Sequence, residues 1–182
     1  MRKALLAFLL GVVILVLLSG CIGGRASQVL PSRRIEISRE LADSAWGKIY
    51  TAQRQGSFSL SFTESELTSL LVFTLEERLK EQPLREPRIW IEKEKIIFAA
   101  TLVDLAPSPL NLVVEFQLYV EGGAVGVRFL KIKVNRTSLP AVTLRTLSRI
   151  ASETLAEAKL QVYVEEIRTE TGVIFIKGRI TS

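Results

Sequence analysis

Histidine is absent from the 182 residues of the chain. Its absence removes the commonest general base and the commonest metal ligand of proteins, and it excludes Ser-His-Asp and Cys-His catalysis. A zinc ion would have to be held by carboxylates alone, which is unusual. No other nucleophile with an activating partner is visible in the sequence. We therefore predict a protein that is not an enzyme and that holds no metal and no cofactor.

Cysteine occurs once, as Cys21, so the chain cannot form an internal disulfide. Before it come two basic residues, Arg2 and Lys3, an unbroken apolar run over residues 4–18, and two small residues. The run of 15 residues is shorter than the roughly 20 that cross a bilayer comfortably. This order of positive charge, apolar run and small residues is typical of an export signal, which would place the rest of the chain outside the cytoplasm.

The end of this segment, Leu18-Ser19-Gly20-Cys21, resembles the lipobox of bacterial lipoproteins. The resemblance implies that the Cys21 thiol takes a diacylglyceryl group and that the signal peptide is cut just before it. The mature protein would then be anchored to the outer face of the cell membrane, or would lie in the periplasm of a cell with two membranes. An uncleaved signal anchor, with Cys21 at the membrane edge, is the alternative.

The chain is accordingly divided into a signal peptide over residues 1–20, a tether of small and polar residues over 21–34, and a single domain over 35–182, which is long enough to bury a core. Removing Arg2 and Lys3 with the signal leaves 22 basic and 19 acidic residues, a net charge of +3. A net charge of this size is weak support for contact with anionic lipid head groups. It does not support a nucleic-acid partner, because charges of both signs are interleaved along the chain.

Three segments have the apolar periodicity of helices. They begin near Ser38, Thr63 and Leu139. The second segment opens with Thr63 and Glu66 in the spacing of a capping box, in which the hydroxyl and the carboxylate each accept a hydrogen bond from the other residue's backbone N–H. The sequence therefore predicts three helices with well-marked starts.

The other periodic segments predict strands joined mostly by tight turns. The clearest alternation of apolar and polar residues runs from Leu110 to Val120 and indicates a strand with one buried face. In the next strand the apolar phase shifts after Phe129, which predicts a β-bulge near Leu130. Strands joined by tight turns pair antiparallel. We therefore predict an α+β domain with one curved, mostly antiparallel sheet of about seven strands and three helices packed against it.

The segment FTESELTSLL, residues 62–71, is similar to the opening of the YpmS-like family of uncharacterised membrane-anchored envelope proteins. The later course fits the same resemblance, with two strand pairs, residues 138–140 leading into a helix, and a closing hairpin. More distantly, the chain resembles envelope domains related to the tubular lipid-binding superfamily. The resemblance covers roughly residues 35–180. It implies a long helix in a curved sheet and an apolar groove for acyl chains, and it transfers no individual site residue.

Seven apolar residues of the predicted strands are candidates to face a ligand. They are Phe98, Leu102, Leu112, Val114, Phe116, Leu118 and Val127. They could line a groove for a lipid, or they could form the core that any domain of this size needs beneath its helices. Two functions therefore stay open. One is a tethered lipoprotein that binds a lipid or another apolar ligand, and the other is an envelope scaffolding or protein-interaction module with a filled core and no small ligand.

Two groups of charged residues are further candidates. Glu64 and Glu66 flank the predicted start of the second helix, where they could form an acid/base pair or a cation site, or could simply stabilise the helix dipole. A basic group on one strand and its exit consists of Arg128, Lys131, Lys133 and Arg136. These residues could contact anionic lipid head groups or form the exposed side of the strand. The sequence indicates no particular partner protein.

Overall fold

The structure, a computed structural model, describes residues 30–78, 83–104, 106–157 and 161–181. Cys21, the predicted signal peptide and most of the predicted tether lie outside the described residues. The helices of the described part are α1 (Arg39–Gln55), α2 (Glu64–Arg78) and α3 (Ala141–Glu157). Its strands are β1 (Ser57–Thr63), β2 (Leu84–Glu92), β3 (Lys95–Leu102), β4 (Leu110–Glu121), β5 (Ala124–Val134), β6 (Thr137–Ser138), β7 (Val162–Glu170) and β8 (Val173–Ile180).

Local hydrogen bonds confirm the predicted starts of the first two helices. Ser38 is the N-cap of α1, and its Oγ accepts a hydrogen bond from Leu41 N at 3.3 Å. At α2, Thr63 N donates to Glu66 Oε2 at 3.0 Å and Glu66 N donates to Thr63 Oγ1 at 3.2 Å. This reciprocal pair is the predicted capping box. Gly56 follows α1 with a φ of 72°, a left-handed conformation that glycine adopts without strain.

The strands form two sheets, so the prediction of one sheet of about seven strands is wrong. A three-stranded sheet has the order β1-β8-β7, and a five-stranded sheet has the order β2-β3-β4-β5-β6. The predicted α+β class and the antiparallel pairing are confirmed. There are two sheets because neither β7 nor β8 pairs with a strand of the five-stranded sheet. β8 pairs instead with β1, from the other end of the domain, so that Phe62 lies opposite Ile174. Alternation within β1 does not reveal which distant strand it joins.

The predicted bulge is present in β5. Glu115 pairs with Lys131 and Phe116 pairs with Phe129, so Leu130 is the extra residue of the register. The bulge accounts for the phase shift in the sequence, because it moves the residues before and after Leu130 onto opposite alternations. It also leaves Leu130 exposed, with 39% of its surface accessible.

Alternate residues of the five-stranded sheet face opposite sides of it. The side covered by α3 holds one core cluster, whose buried members are Leu102, Leu112, Ile132, Val134, Leu139, Leu144 and Leu147. On the opposite side, Trp90 and Ile97 pack against Leu30 and Ile35 from the start of the described chain. A further cluster joins α1, α2 and the three-stranded sheet to β2, β3 and β4, and its buried members are Ala45, Phe62, Ile91, Ile96 and Ile174.

Residues 30–38, which we call the N-terminal strap, precede α1 and lie against α2. Glu36 N donates to Ser65 Oγ at 3.1 Å, and Ser38 N donates to Ser69 Oγ at 3.1 Å. Two serines of α2 thus supply acceptors for backbone N–H groups of the strap. Contacts with the domain thus start at residues that the sequence analysis assigned to the tether, and the boundary at residue 35 stays a prediction.

Candidate functional site

The seven predicted ligand-facing residues lie in three places. Phe98, Leu102, Leu112 and Val114 belong to the cluster beneath α3. Phe116 and Leu118 belong to the cluster between the two sheets. Val127, on β5, lines an open cleft beside α3. Leu102 is 1% exposed and could be reached only if α3 moved away, and none of the four residues lines the cleft beside α3.

The cleft beside α3, which we call the α3–β5 cleft, has a volume of about 630 Å³. Its apolar lining comes from both elements and from the neighbouring strand β4, and consists of Tyr119, Val127, Phe129, Leu130, Ala141 and Leu144. Its polar lining consists of Arg128, Arg145, Ser148, Arg149, Ser152 and Glu153. An apolar floor with a few convergent polar groups is the usual composition of a small-molecule site.

Two serines of α3 hold the helix against the edge of β5. Val127 N donates to Ser152 Oγ at 2.9 Å, and Phe129 N donates to Ser148 Oγ at 2.8 Å. Ser152 Oγ also donates to Val127 O at 3.2 Å. These bonds satisfy strand-edge groups that would otherwise be unpaired. Because serine is small, they leave space between helix and strand where larger side chains would have packed.

The rim of the α3–β5 cleft is positively charged. Arg128, Arg145 and Arg149 line it together with a single acid, Glu153. Arg149 Nη1 lies 3.2 Å from Glu153 Oε1, and both side chains are more than half exposed. Arg128 stacks over Tyr119, with its Cζ 5.6 Å from the ring centroid. Exposed ion pairs and cation–π contacts of this kind are weak, so these guanidiniums can turn toward a ligand at little cost.

A second open cleft, of about 790 Å³, lies between the β2–β3 turn, β4 and β7. Leu118 contributes to its floor. Charged residues of both signs dominate its walls, namely Lys93, Glu94, Lys95, Arg128, Arg168 and Glu170. Arg168 and Glu170 already pair with each other at 2.9 Å. Because its walls carry more polar surface than those of the α3–β5 cleft, it is the weaker candidate for an apolar ligand.

Of the two acids at the start of α2, Glu64 ties the N-terminal strap to the domain. Its Oε1 accepts hydrogen bonds from Arg33 Nη2 at 2.6 Å and from Ile91 N at 2.7 Å. Arg33 Nη2 also reaches Glu92 Oε1 at 2.9 Å. The hydrogen bond with Glu64 raises the pKa of the Arg33 guanidinium further above its ordinary value, and burial only partly opposes this. Glu64 is therefore occupied by structural partners.

Glu66 is equally committed to structure. Besides its capping bonds to Thr63, Oε1 lies 2.7 Å from Lys48 Nζ and accepts from Ser44 Oγ at 3.1 Å. Burial raises the pKa of the Glu66 carboxyl, but Lys48, Thr63 and Ser44 together lower it below its ordinary value. Neither acid has the free, solvent-facing lone pairs that a cation site or an acid/base pair requires. These contacts fit the interpretation that both acids stabilise the start of α2.

Because the folded protein stabilises the Glu66 carboxylate, protonation of this group in acid is expected to lower the free energy of unfolding. Its folded pKa lies below the ordinary value of 4.5, so its stabilising effect is complete above that pH and is lost as the pH falls toward the folded value. Glu66→Gln is expected to lower the free energy of unfolding by about 1–2 kcal/mol at neutral pH and to flatten its fall in acid. Urea unfolding over a pH series measures both effects.

The control for this prediction is Glu77→Gln. Glu77 pairs with Arg39 at 3.4 Å on the surface, where both side chains are mostly exposed. This variant should unfold like the wild type at every pH, because exposed pairs contribute little. Identical pH profiles for Glu66→Gln and wild type would contradict the assigned role of the Glu66 carboxylate.

The predicted basic group does not form one patch. Arg128 lines the α3–β5 cleft, and Arg136 is exposed in the turn after β5. Lys131 Nζ lies 3.9 Å from Glu115 Oε1, and Lys133 is only 6% exposed. The bulge at Leu130 separates these side chains, because it changes which face of β5 each residue occupies. Only Arg128 therefore belongs to the candidate site.

Sequence reasoning missed the residues that α3 contributes to the site. Arg145, Ser148, Arg149 and Ser152 recur at spacings of three and four, which puts them on one face of the helix. That signal is present in the sequence. The pattern by itself indicates a solvent-exposed polar helix face, because neighbouring residues in the sequence give no sign that a strand edge lies beside the helix.

Within the described residues, no helix is long and apolar enough to span a membrane. The same part of the chain contains no group of three or more cysteines or acids that could hold a metal ion. No family model matches the sequence, and no curated protein is significantly similar to it.

Proposed function

We propose that this protein is a non-enzymatic lipoprotein, tethered outside the cytoplasm through lipid on Cys21, that binds an acyl chain or another apolar ligand. The observation that carries the proposal is the open α3–β5 cleft with its apolar floor. Its volume of about 630 Å³ lies within the range of roughly 300–1,000 Å³ that small-molecule sites occupy. The expected groove thus has a candidate location at the edge of the five-stranded sheet.

The walls of the cleft support a site that exists before a ligand arrives. α3 is fastened by Leu144 and Leu147 in the core and by Ser148 and Ser152 on the edge of β5. Fixed walls reduce the ordering that binding would otherwise require. Between these attachments the α3–β5 cleft stays open because its α3 lining includes small residues, namely Ala141, Ser148 and Ser152.

The predicted tether keeps this cleft near the source of lipid. Nine residue steps separate Cys21 from Leu30, the first described residue, which packs on the domain. Even fully extended, they reach about 30 Å, at roughly 3.3–3.6 Å per residue. A lipidated Cys21 would therefore hold the domain against the membrane surface, where amphiphiles are concentrated.

A scaffolding or protein-interaction module is the second candidate. Most of the predicted ligand-facing residues are packed in the core, as that function requires. Three of the exposed large apolar residues, Leu130, Val142 and Ile150, lie on the packed pair of elements β5 and α3, and a partner protein would cover apolar surface of this kind where it is contiguous. This module would leave the cleft without a small ligand.

Native mass spectrometry tests the proposal. The wild-type protein released in detergent is compared with the mature chain, residues 21–182, carrying Cys21→Ser. The wild type should carry covalent lipid that survives denaturation. The serine variant should carry a non-covalent amphiphile that denaturation removes, since without Cys21 any bound amphiphile must be held by the folded domain. A bare mass for the variant, even after amphiphile is offered, would leave the interaction module as the better account, and an unlipidated wild type would refute the anchor.

A matched pair of α3 variants locates the ligand. Ala141→Phe fills the α3–β5 cleft from its lining, whereas Thr146→Phe adds the same ring to an exposed position outside the lining. In the Cys21→Ser background, the first variant should lose the bound mass and the second should keep it. Loss in neither variant would place the ligand elsewhere on the molecule.

A further inference from the structure

Arg145 is the least committed of the three arginines of the α3–β5 cleft. It forms no hydrogen bond or ion pair with any residue that the structure describes. Arg149 lies one helical turn away on the same lining, so that the two Cβ atoms are roughly 6 Å apart. A carboxylate or phosphate between them could accept from both guanidiniums, whose planar forks match these anions.

The lining of the cleft contains little negative charge. Glu153 is the one acid of the described lining, and it already lies 3.2 Å from Arg149. Three cations against one anion leave the rim with an excess of two positive charges. Such a rim favours a negatively charged ligand and disfavours a cationic or zwitterionic one.

The floor of the cleft limits the apolar part of the ligand. Apart from Tyr119, its strand residues all come from β5. Neighbouring strands lie about 4.8 Å apart, so a floor one strand wide suits one extended acyl chain. The geometry therefore combines a single apolar track with a cationic rim on α3.

Such a ligand could come from solution or from the anchoring membrane, and the side of the sheet on which the N-terminal strap lies distinguishes the two. The strap packs on Val113 and Ile97, whereas α3 packs on Leu112 and Val114 of the same strand β4. Successive strand residues face opposite sides of a sheet. The described chain therefore begins on the side of the sheet opposite α3, which favours a single dissolved amphiphile over the surface of the anchoring membrane as the occupant of the cleft.

We infer that the α3–β5 cleft binds a single-chain amphiphile with an anionic head group, taken up as a monomer, with Arg145 and Arg149 holding the head. The inference rests on the proposed function, since it names the class of ligand for the same cleft. Val127, Phe129 and Leu144 contact the chain. Arg128, beside Tyr119, covers the end of the cleft shared with β4.

Isothermal titration calorimetry of the mature chain with Cys21→Ser tests this. Decanoate and decanol, which share a chain and differ in head charge, are titrated below the concentration at which either aggregates. Decanoate should bind at least about tenfold more tightly, because hydrogen bonds between charged groups are roughly twice as strong as neutral ones. Arg145→Gln with Arg149→Gln should remove that preference and leave the affinity for decanol unchanged.

The control pair is Arg54→Gln with Arg85→Gln, which removes the same charge from exposed positions on α1 and β2. It should keep the preference for decanoate. Equal affinity for both probes in the wild type would overturn the anionic head group but not the proposed function, whereas binding of neither probe would remove the proposed function itself. Vesicles with anionic lipid form the last arm, and binding to them by a protein that binds no decanoate would overturn uptake of a monomer.

Discussion

Replacing Leu102 by alanine is expected to lower the free energy of unfolding by about 2–5 kcal/mol, the range for large-to-small changes in well-packed cores. Leu102 is 1% exposed at the end of β3, between Leu84 of β2 and Leu110 of β4. It belongs to the cluster beneath α3, where rigid neighbours on two strands and a helix cannot close the cavity. Urea unfolding at neutral pH measures the change.

The matched control is Val142→Ala. Val142 is 62% exposed on α3, so its truncation should shift the stability by no more than about 0.5 kcal/mol. Leu102→Ala should also leave the affinity for decanoate unchanged, because Leu102 does not line the cleft. A variant that is as stable as the wild type but binds the ligand less tightly would restore Leu102 as a ligand contact and contradict the core assignment.

The local features of the fold could be predicted from the sequence. The capping box at Thr63 and Glu66 depends on two residues three positions apart, and the bulge at Leu130 depends on a phase shift within one strand. Both signals lie in short windows and act through the backbone of the same segment. Predictions of this kind need no knowledge of distant parts of the chain.

The pairing of β1 with β8 could not be predicted in the same way. Its two strands are separated by most of the domain, and any strand with the same alternation would serve as a partner for Phe62. The third strand of the smaller sheet depends on this one choice. Tight turns identify hairpins such as β7–β8, but they do not assign a lone strand such as β1 to a sheet.

In both outer regions of the five-stranded sheet, polar side chains of a helix accept hydrogen bonds from backbone N–H groups at a strand edge, and the sequence does not reveal these contacts. On β2, Ile91 N donates to Glu64 and Ile89 N donates to Thr68 Oγ1. On β5, two serines of α3 act in the same way. In each case the helix supplies polar side chains four residues apart to alternate N–H groups of a strand edge. In sequence these pairs look like ordinary solvent-facing residues, and the candidate cleft arises beside one of them.

The candidate site was predicted only in part for a related reason. Alternation along β4 identifies which face of the strand is buried, but not what covers it. Val114 meets α3 while Phe116, two residues on, meets the cluster between the sheets. Val127 is the one predicted residue that lines the α3–β5 cleft. Its neighbours across the cleft, on α3, come from a separate segment of the chain.

Removing the Glu64 carboxylate is expected to lower the free energy of unfolding by about 2–3 kcal/mol, the cost of leaving a buried donor unpaired together with a broken ion pair. In Glu64→Ala, the N–H of Ile91 loses its acceptor at 2.7 Å and Arg33 loses its partner at 2.6 Å. The side chain of Arg33 is 37% exposed and keeps Glu92, so it can find water, and the loss stays below that of a fully buried pair. Faster hydrogen exchange at Ile91 N and along the N-terminal strap should accompany the loss.

A double-mutant cycle separates the ion pair from the backbone bond. Arg33→Ala leaves Glu64, which is 7% exposed, as a buried carboxylate with a single backbone donor. Because the two residues share one network, the double variant should cost less than the sum of the single variants. Glu77→Ala, which breaks the exposed pair with Arg39, should change stability by no more than about 0.5 kcal/mol. Additive losses for Arg33 and Glu64, or a Glu64 loss no larger than that of Glu77, would mean that the strap is held by its apolar contacts and backbone hydrogen bonds and that its charges contribute nothing.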